Sequence, residues 1–280
     1  MRWHAEPVGF SNGEGMLYGE LVVPGGEGPF PGAVLCHGMA SDHRAMRHVA
    51  RRLAREGVAT LAFDFRGHGK SDGVVDDNIP QDVVAALKFL RSHAKVNPRR
   101  VAVVGHSFGA WAAIIAAATF RDLRAMVSIS SPGDTETQPD GESASLYQKL
   151  TQSGRAVFEY PRCGALPGFG RITGLVSTLW MLIRGYRARV HWRKALMVGQ
   201  RVRSLTLEQM GDFPKLFVQC GRDTVTPYEK ALELYERSEP PKEFLLTKGG
   251  FHSTPLFPGS VRDRWVAWLV SALNETGNGW

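Results

Sequence analysis

Residues 101–109 read Val-Ala-Val-Val-Gly-His-Ser-Phe-Gly, an apolar run that leads through a Gly-x-Ser-x-Gly pattern into the small-residue segment Phe108–Thr119. The run is typical of a buried strand, and the segment after it favours a helix. A sharp turn from strand to helix strains the serine backbone, and only glycine at Gly105 and Gly109 leaves room for the neighbouring elements. We therefore predict that Ser107 is held as a nucleophile at the carboxyl end of a sheet.

On both sides of this turn, apolar segments alternate with helical patterns, which predicts an α/β fold with a mainly parallel sheet covered by helices on both faces. The predicted strands are Met16–Val23 (antiparallel), Gly32–Cys36, Ala59–Phe63, Arg100–Val104, Arg124–Ile129, Lys215–Cys220 and Glu243–Leu246. The predicted helices are His43–Glu56, Ile79–Ala94, Phe108–Thr119, Tyr228–Arg237 and Ser260–Leu273. Residues 133–211 give helical patterns without a convincing strand, so we interpret them as an insertion in a core formed by 1–132 and 212–280.

A general base and an orienting carboxylate are needed as well, because a serine is a poor nucleophile at neutral pH. Two later turns supply them, each just after a predicted strand: Asp223 follows Lys215–Cys220, and His252 follows Glu243–Leu246. The order Ser107, Asp223, His252 matches one known arrangement of such triads. Asp134, just beyond another predicted strand, is the alternative source of the carboxylate.

Backbone N–H groups must also face the oxygen that becomes negatively charged during acyl transfer. One donor is predicted to be the N–H of Phe108, next to the nucleophile. The other is assigned to Met39, in the loop that follows the strand Gly32–Cys36. His37 is expected to position this loop by hydrogen bonding.

Five segments together resemble those of α/β-hydrolase esterases, lipases and related serine peptidases. They are His37-Gly38, Asp64-Phe-Arg-Gly-His-Gly-Lys-Ser71, Gly105-His-Ser-Phe-Gly109, Gly221-Arg-Asp223 and Gly250-Phe-His252. The resemblance covers the chain except 133–211 and implies the α/β-hydrolase fold. It also implies that Asp64–Ser71 is a structural loop beside the site and that the insertion is a cap, or lid, that determines the substrate.

The insertion contains one apolar stripe with helical spacing. Leu175, Leu179, Leu182 and Ile183 share one face of a helix and are predicted to line a pocket for an acyl group. The alternative is that the stripe simply packs the cap onto the core.

A serine nucleophile favours an acyl-enzyme route, whereas epoxide hydrolases and haloalkane dehalogenases of similar fold use an aspartate. We therefore expect hydrolysis of a small to medium carboxylic acyl ester, with a small-molecule substrate. Peptidase, thioesterase, acyltransferase and carbon–carbon bond hydrolase remain as enzymatic alternatives. A non-catalytic binding protein that kept the fold is the alternative from another class.

The net charge of +7 arises from dispersed basic residues except for one concentration in the insertion. Its members are Arg184, Arg187, Arg189, Arg193, Lys194, Arg201 and Arg203. A solvated face, an anionic substrate or a membrane surface would each explain them, and we expect no nucleic-acid partner.

Neither a metal nor a nucleotide cofactor is expected from the sequence. His37, His43, His48 and His68 fit no metal-ligand spacing. The Gly69-Lys-Ser71 stretch lacks the glycine that a phosphate-binding loop requires at position 64.

A cytoplasmic location is expected, because residues 1–10 contain no apolar signal core and three cysteines cannot all pair. The longest mainly apolar stretch, Ile172–Ile183, has 12 residues. A spanning helix needs about 20, so none is predicted.

Overall fold

A computed structural model describes residues 2–39, 41–120, 122–133, 157–160, 182–205, 207 and 210–275. The strands in this part of the chain are β1 (Trp3–Ser11), β2 (Met16–Pro24), β3 (Phe30–Cys36), β4 (Ala59–Phe63), β5 (Val96–His106), β6 (Ala125–Ile129), β7 (Val157–Tyr160), β8 (Ala188–His191), β9 (Lys215–Cys220) and β10 (Lys242–Thr247). The α-helices are α1 (Arg47–Arg55), α2 (Ile79–Ser92), α3 (Phe108–Thr119), α4 (Trp192–Ser204), α5 (Tyr228–Arg237) and α6 (Ser260–Asn274). None of these helices has the length and apolar character that crossing a membrane requires.

Eight strands form one sheet in the order β1-β2-β4-β3-β5-β6-β9-β10. The pairs β1–β2 and β2–β4 are antiparallel, and the pairs from β4 to β10 are parallel. The predicted mainly parallel sheet is therefore confirmed. Strand β1 was not predicted, because its alternation of exposed and half-buried residues marks an edge strand that depends on its pairing with β2.

Both faces of the sheet are buried, as a parallel sheet requires. In β5, Val101 and Val103 pack on one face with residues of α2, α3 and α4, whereas Ala102 and Val104 pack on the other face with residues of α1 and α6. Helix α3 is buried around most of its circumference, which explains its composition of alanine, isoleucine and other apolar residues.

The loop after β4 is fixed by a buried ion pair. Arg66 donates to Asp82 of α2 from Nη2 at 2.8 Å and from its backbone N–H at 2.9 Å. Both side chains are almost completely buried. Removal of Arg66 would leave the carboxyl group of Asp82 in the interior without its cation, so this contact holds the loop against α2.

Within residues 133–211, strands β7 and β8 form an antiparallel pair. The expectation that residues 133–211 contain no strand was therefore wrong. Each strand has only four residues, too few for an alternating pattern to stand out, and pairing between the two strands defines them.

The glycines of the Gly-x-Ser-x-Gly turn are required by close backbone approaches. A Cβ on Gly105 would lie 2.4 Å from the carbonyl oxygen of Gly109. A Cβ on Gly109 would lie 2.5 Å from the carbonyl oxygens of Cys36 and His37. Helix α3 therefore approaches β3 and β5 more closely than any side chain permits.

We predict that Gly109→Ala lowers the free energy of unfolding by at least about 2 kcal/mol, because backbone atoms must shift to admit the new methyl group. The matched control is Gly249→Ala, where an added Cβ meets nothing within 4 Å. The control should change stability by less than about 0.5 kcal/mol in urea-unfolding experiments. Equal stability of the two variants would contradict the packing argument.

Candidate active site

Ser107 occupies the turn between β5 and α3. Its φ of 54° and ψ of −122° lie in a region that residues other than glycine rarely adopt. The turn is held by a hydrogen bond from Ser107 N–H to the carbonyl of Ile129 at 2.9 Å and by one from Ala110 N–H to the carbonyl of Ser107 at 2.8 Å. The predicted strand–turn–helix is thus present, and its serine is half-buried and reachable from solvent.

Asp223 and His252 lie side by side in the loops that follow β9 and β10. His252 Nδ1 donates a hydrogen bond to Asp223 Oδ2 at 2.9 Å. Asp223 Oδ1 accepts from the N–H groups of Val225 and Thr226, both at 3.0 Å. Its Oδ2 also accepts from Thr226 Oγ1 at 2.8 Å and Gln219 Nε2 at 3.2 Å. The structure therefore brings together the predicted base and the predicted acid.

These hydrogen bonds set the charge of the carboxyl group. Burial of Asp223 disfavours its ionised form. The hydrogen bond and charge of His252 and two hydrogen bonds from Thr226 outweigh burial, so the pKa of Asp223 is below its ordinary value. Asp223 is therefore a carboxylate at neutral pH. With Nδ1 of His252 donating to it, Nε2 of the same ring carries the lone pair in the neutral imidazole.

The backbone of His252 is fixed by two side chains that the sequence did not reveal as site residues. Its carbonyl oxygen accepts from Ser130 Oγ at 2.9 Å and from His106 Nε2 at 3.1 Å. Burial, with a further contribution from His252, lowers the pKa of His106 to about 3, so His106 is neutral. Ser130, the residue directly after β6, has a φ of 48° and is completely buried. Its own carbonyl oxygen lies 3.2 Å from Thr226 Oγ1.

The loop after β3 lies directly against Ser107. A Cβ on Gly38 would lie 3.4 Å from Ser107 Cβ. His37 Nδ1 donates to the carbonyl of Gly38 at 2.8 Å, and its Nε2 accepts from Phe65 N–H at 3.2 Å. His37 thus spans the loops that follow β3 and β4, and burial lowers its pKa.

The two predicted oxyanion donors are Met39 and Phe108. Met39 is half-buried in the loop after β3, and Phe108 begins α3. Among the described residues, no hydrogen bond occupies either of their amide N–H groups.

The predicted acyl-binding residues are only partly within the described chain. Leu175, Leu179 and the alternative acid Asp134 lie outside the described residues. Leu182 and Ile183 are exposed, with 57% and 70% of their surface accessible. Leu182 borders a cavity of about 490 Å³ whose other walls include Gly67, Lys70, Asp72, Glu159, Arg187 and Arg189.

One cluster of potential metal ligands occurs in the described part of the chain: Asp42, His43 and Asp64. Their atoms already bond to protein groups. His43 contacts Asp64 Oδ1 through Nδ1 at 2.7 Å, and Arg44 Nε donates to Asp42 Oδ2 at 2.9 Å. The cluster is an internal ion-pair network beside the loop after β4.

Comparison with known proteins defines the class of this chain. The sequence profile of the alpha/beta hydrolase family matches residues 33–266. Because this match spans most of the sequence, the chain belongs to the alpha/beta hydrolase family. The fold and the resemblance predicted from the motifs are thereby confirmed.

Individual relatives are distant. The uncharacterised protein YfhR of Escherichia coli strain K12 is 23% identical over 280 residues, which cover 97% of this chain and 83% of YfhR. Among solved structures, the alpha/beta hydrolase GrgF from Penicillium sp. sh18 is 20% identical with a TM-score of 0.75, covering 96% of this chain and 99% of GrgF. The Pyrococcus furiosus esterase Pf2001 is 23% identical with a TM-score of 0.64, and the match covers 97% of this chain and 90% of Pf2001. At these identities, the solved structures show a shared fold.

Proposed function

We propose that this chain is a serine hydrolase that cleaves a small to medium carboxylic ester through an acyl-enzyme intermediate. The observation that carries the proposal is the strained turn that presents Ser107 at the sheet edge where His252 is hydrogen-bonded to Asp223. The contact between His106 and the carbonyl of His252 joins this turn to the loop of the base. The esterase Pf2001, which shares the fold, also supports it.

In the acylation step, Ser107 Oγ attacks the acyl carbon of the ester while its proton passes to Nε2 of His252. The Asp223 carboxylate stabilises the imidazolium that forms and keeps Nδ1 protonated. The tetrahedral intermediate then breaks its bond to the alcohol oxygen. His252 returns the proton to the leaving alcohol, and the acyl group remains on Ser107.

Negative charge on the intermediate oxygen is stabilised by the N–H groups of Met39 and Phe108. Phe108 stands at the N-terminus of α3, where the partial positive charge of the helix adds to this effect. Deacylation repeats the sequence with water: His252 removes a proton from water as the water oxygen attacks the acyl carbon. The tetrahedral intermediate then breaks its bond to Ser107 Oγ, His252 returns the proton to that oxygen, and the carboxylic acid is released.

We expect Ser107→Ala and His252→Ala each to lower kcat/KM by at least about 10⁴-fold, because triad members act as a unit. A fluorophosphonate probe should label the wild type and leave Ser107→Ala unlabelled. A screen of ester, thioester and amide substrates graded by acyl length would identify the bond that is cleaved. Labelling or wild-type turnover in folded Ser107→Ala would instead support a non-catalytic role for this serine.

We expect Asp223→Asn to lower kcat about 10³- to 10⁴-fold, because an amide does not stabilise the imidazolium and favours the wrong tautomer of His252. The matched comparison is Asp134→Asn, which tests the alternative acid that the sequence left open. Steady-state kinetics of both variants decide between them. Loss of kcat in Asp134→Asn alone would identify Asp134 as the acid.

Ser130 is a positioning residue in this mechanism. Its hydroxyl holds the backbone of His252, and its carbonyl lies next to the hydroxyl of Thr226, which in turn contacts Asp223. A base displaced by a fraction of an ångström transfers protons less efficiently, because catalysis depends on reacting atoms that are already aligned. The left-handed φ of Ser130 aims its side chain at the loop of the base.

We expect Ser130→Ala to lower kcat about tenfold with an unchanged KM, because binding of the substrate does not depend on this hydrogen bond. Ser128→Ala is the control: Ser128 stands two residues earlier in β6, is buried, and its Oγ has no hydrogen-bond partner among the described residues. The control should retain kcat. Equal kcat values for the two variants, at equal thermal stability, would remove Ser130 from the mechanism.

A further inference from the structure

The positive charge of this chain is concentrated in one part of the insertion. Residues 184–203, the basic segment, contain seven arginine and lysine residues and no aspartate or glutamate. The whole chain contains 34 basic and 27 acidic residues, a difference of seven. The remaining 260 residues are therefore electrically balanced, and the entire excess charge belongs to the basic segment.

Exposed apolar side chains stand close to these charges in the sequence, and Leu182 borders the same cavity as Arg187 and Arg189. Leu182 and Ile183 directly precede the basic segment and are 57% and 70% exposed, and Met197 within it is 44% exposed. Helix α4 buries Ala195 and Val198 in the core and leaves Arg193, Lys194 and Met197 on its outer face. Exposed apolar side chains intermixed with cations are the pattern of a surface that binds the interface of a membrane.

The basic segment lies at the same end of the sheet as Ser107. Strand β8 is joined to the loop after β4 by backbone hydrogen bonds, including Val75 N–H to the carbonyl of Arg189 at 2.8 Å and Arg189 N–H to the carbonyl of Gly67 at 2.7 Å. His68 of that loop packs against His37, with ring centroids 4.9 Å apart, and His37 adjoins the loop that contacts Ser107. A partner bound to the basic segment would therefore lie close to the active site.

We propose that Leu182, Ile183, Arg193, Lys194 and Met197 form a docking face for a membrane surface that contains anionic phospholipids. The cations attract the phosphate-rich surface, and the three apolar side chains enter its outer layer. Leu182 and Ile183 then act in membrane contact rather than as walls of an acyl pocket. Hydrolysis of acyl esters at that surface rests on the proposed function, whereas the docking itself does not.

A membrane explains these residues better than a soluble anion does. The cavity beside Leu182 has Lys70, Arg187 and Arg189 in its walls, but Asp72 and Glu159 offset two of these charges. One positive charge is left over in the cavity, whereas Arg193 and Lys194 add two on the outer face of α4. Nucleic acid is less suited, because exposed Leu182 and Ile183 have no role on a phosphate backbone.

The test measures sedimentation with vesicles, using Ser107→Ala as the parent so that hydrolysis of lipid cannot interfere and failure of the proposed function cannot affect the result. Vesicles of phosphatidylcholine are compared with vesicles of equal parts phosphatidylcholine and phosphatidylglycerol. We expect the protein to bind only the anionic vesicles and to dissociate as salt rises, because salt screens exposed charges.

Two pairs of substitutions examine the docking face. Arg193→Gln with Lys194→Gln should weaken partitioning about 30-fold, given the attraction of each cation to an anionic surface. Leu182→Ser with Ile183→Ser should weaken it at least about tenfold. Lys88→Gln with Arg99→Gln, which removes two exposed cations elsewhere, is the matched control and should leave partitioning unchanged.

Three results would overturn the docking face as a whole, and a fourth would remove Leu182 and Ile183 from it. One is no binding of the parent to anionic vesicles at low salt, and another is the same loss of binding in the control pair as in Arg193→Gln with Lys194→Gln. The third is that the parent binds a duplex oligonucleotide more tightly than it binds anionic vesicles, and that Leu182→Ser with Ile183→Ser does not change the oligonucleotide affinity. This result would assign the cations to nucleic acid. The fourth result concerns Leu182→Ser with Ile183→Ser in the chain that keeps Ser107. If this variant loses its preference among soluble esters of different acyl length but still binds vesicles, both residues line an acyl pocket instead.

Discussion

The close approach of α3 to the carboxyl end of β3 and β5 is the constraint on which the rest of the site depends. Gly109 brings the helix against the carbonyl oxygens of Cys36 and His37, and Gly105 leaves room for the first turn of the helix. The chain can make this contact only by reversing direction within a few residues. Ser107 stands at that reversal in a backbone conformation that costs free energy, and burial of the apolar surface of α3 offsets the cost.

The loops of the base and the acid are built in different ways. Asp223 is held by the N–H groups of Val225 and Thr226 from its own turn, so local sequence is sufficient to orient it. His252 depends on distant residues, because its carbonyl is fixed by His106 and Ser130. The imidazole of His252 is therefore positioned by residues at the ends of three adjacent strands: His106 at β5, Ser130 after β6 and Asp223 after β9. In a parallel sheet these ends lie at one edge.

Charge is distributed unevenly along the chain. Outside the basic segment, charged side chains are paired: Arg66 with Asp82, and Arg44 with Asp42. Such pairs add little net charge, and the first of them holds the loop after β4. In the basic segment, Arg187, Arg189, Arg193 and Lys194 are exposed instead, and β8 attaches this part of the chain to the same loop. The loop after β4 thus links the end of the sheet that carries Ser107 to the charged surface that we assign to membrane docking.

The sequence by itself determined the alternation of strands and helices and the bounds of β4, α3, β9 and α5, because burial and periodicity are local properties of these segments. It also indicated Ser107, Asp223 and His252, since each follows a predicted strand and parallel strands end at one edge. Only the tertiary structure decided which distant groups hold His252, because Ser130 and His106 carry no local pattern that refers to a residue more than 100 positions away. Pairing between strands, rather than composition, likewise decided the existence of β1, β7 and β8. The exposure of Leu182 and Ile183 was also set by packing, because helical spacing states which residues share a face but not what that face contacts.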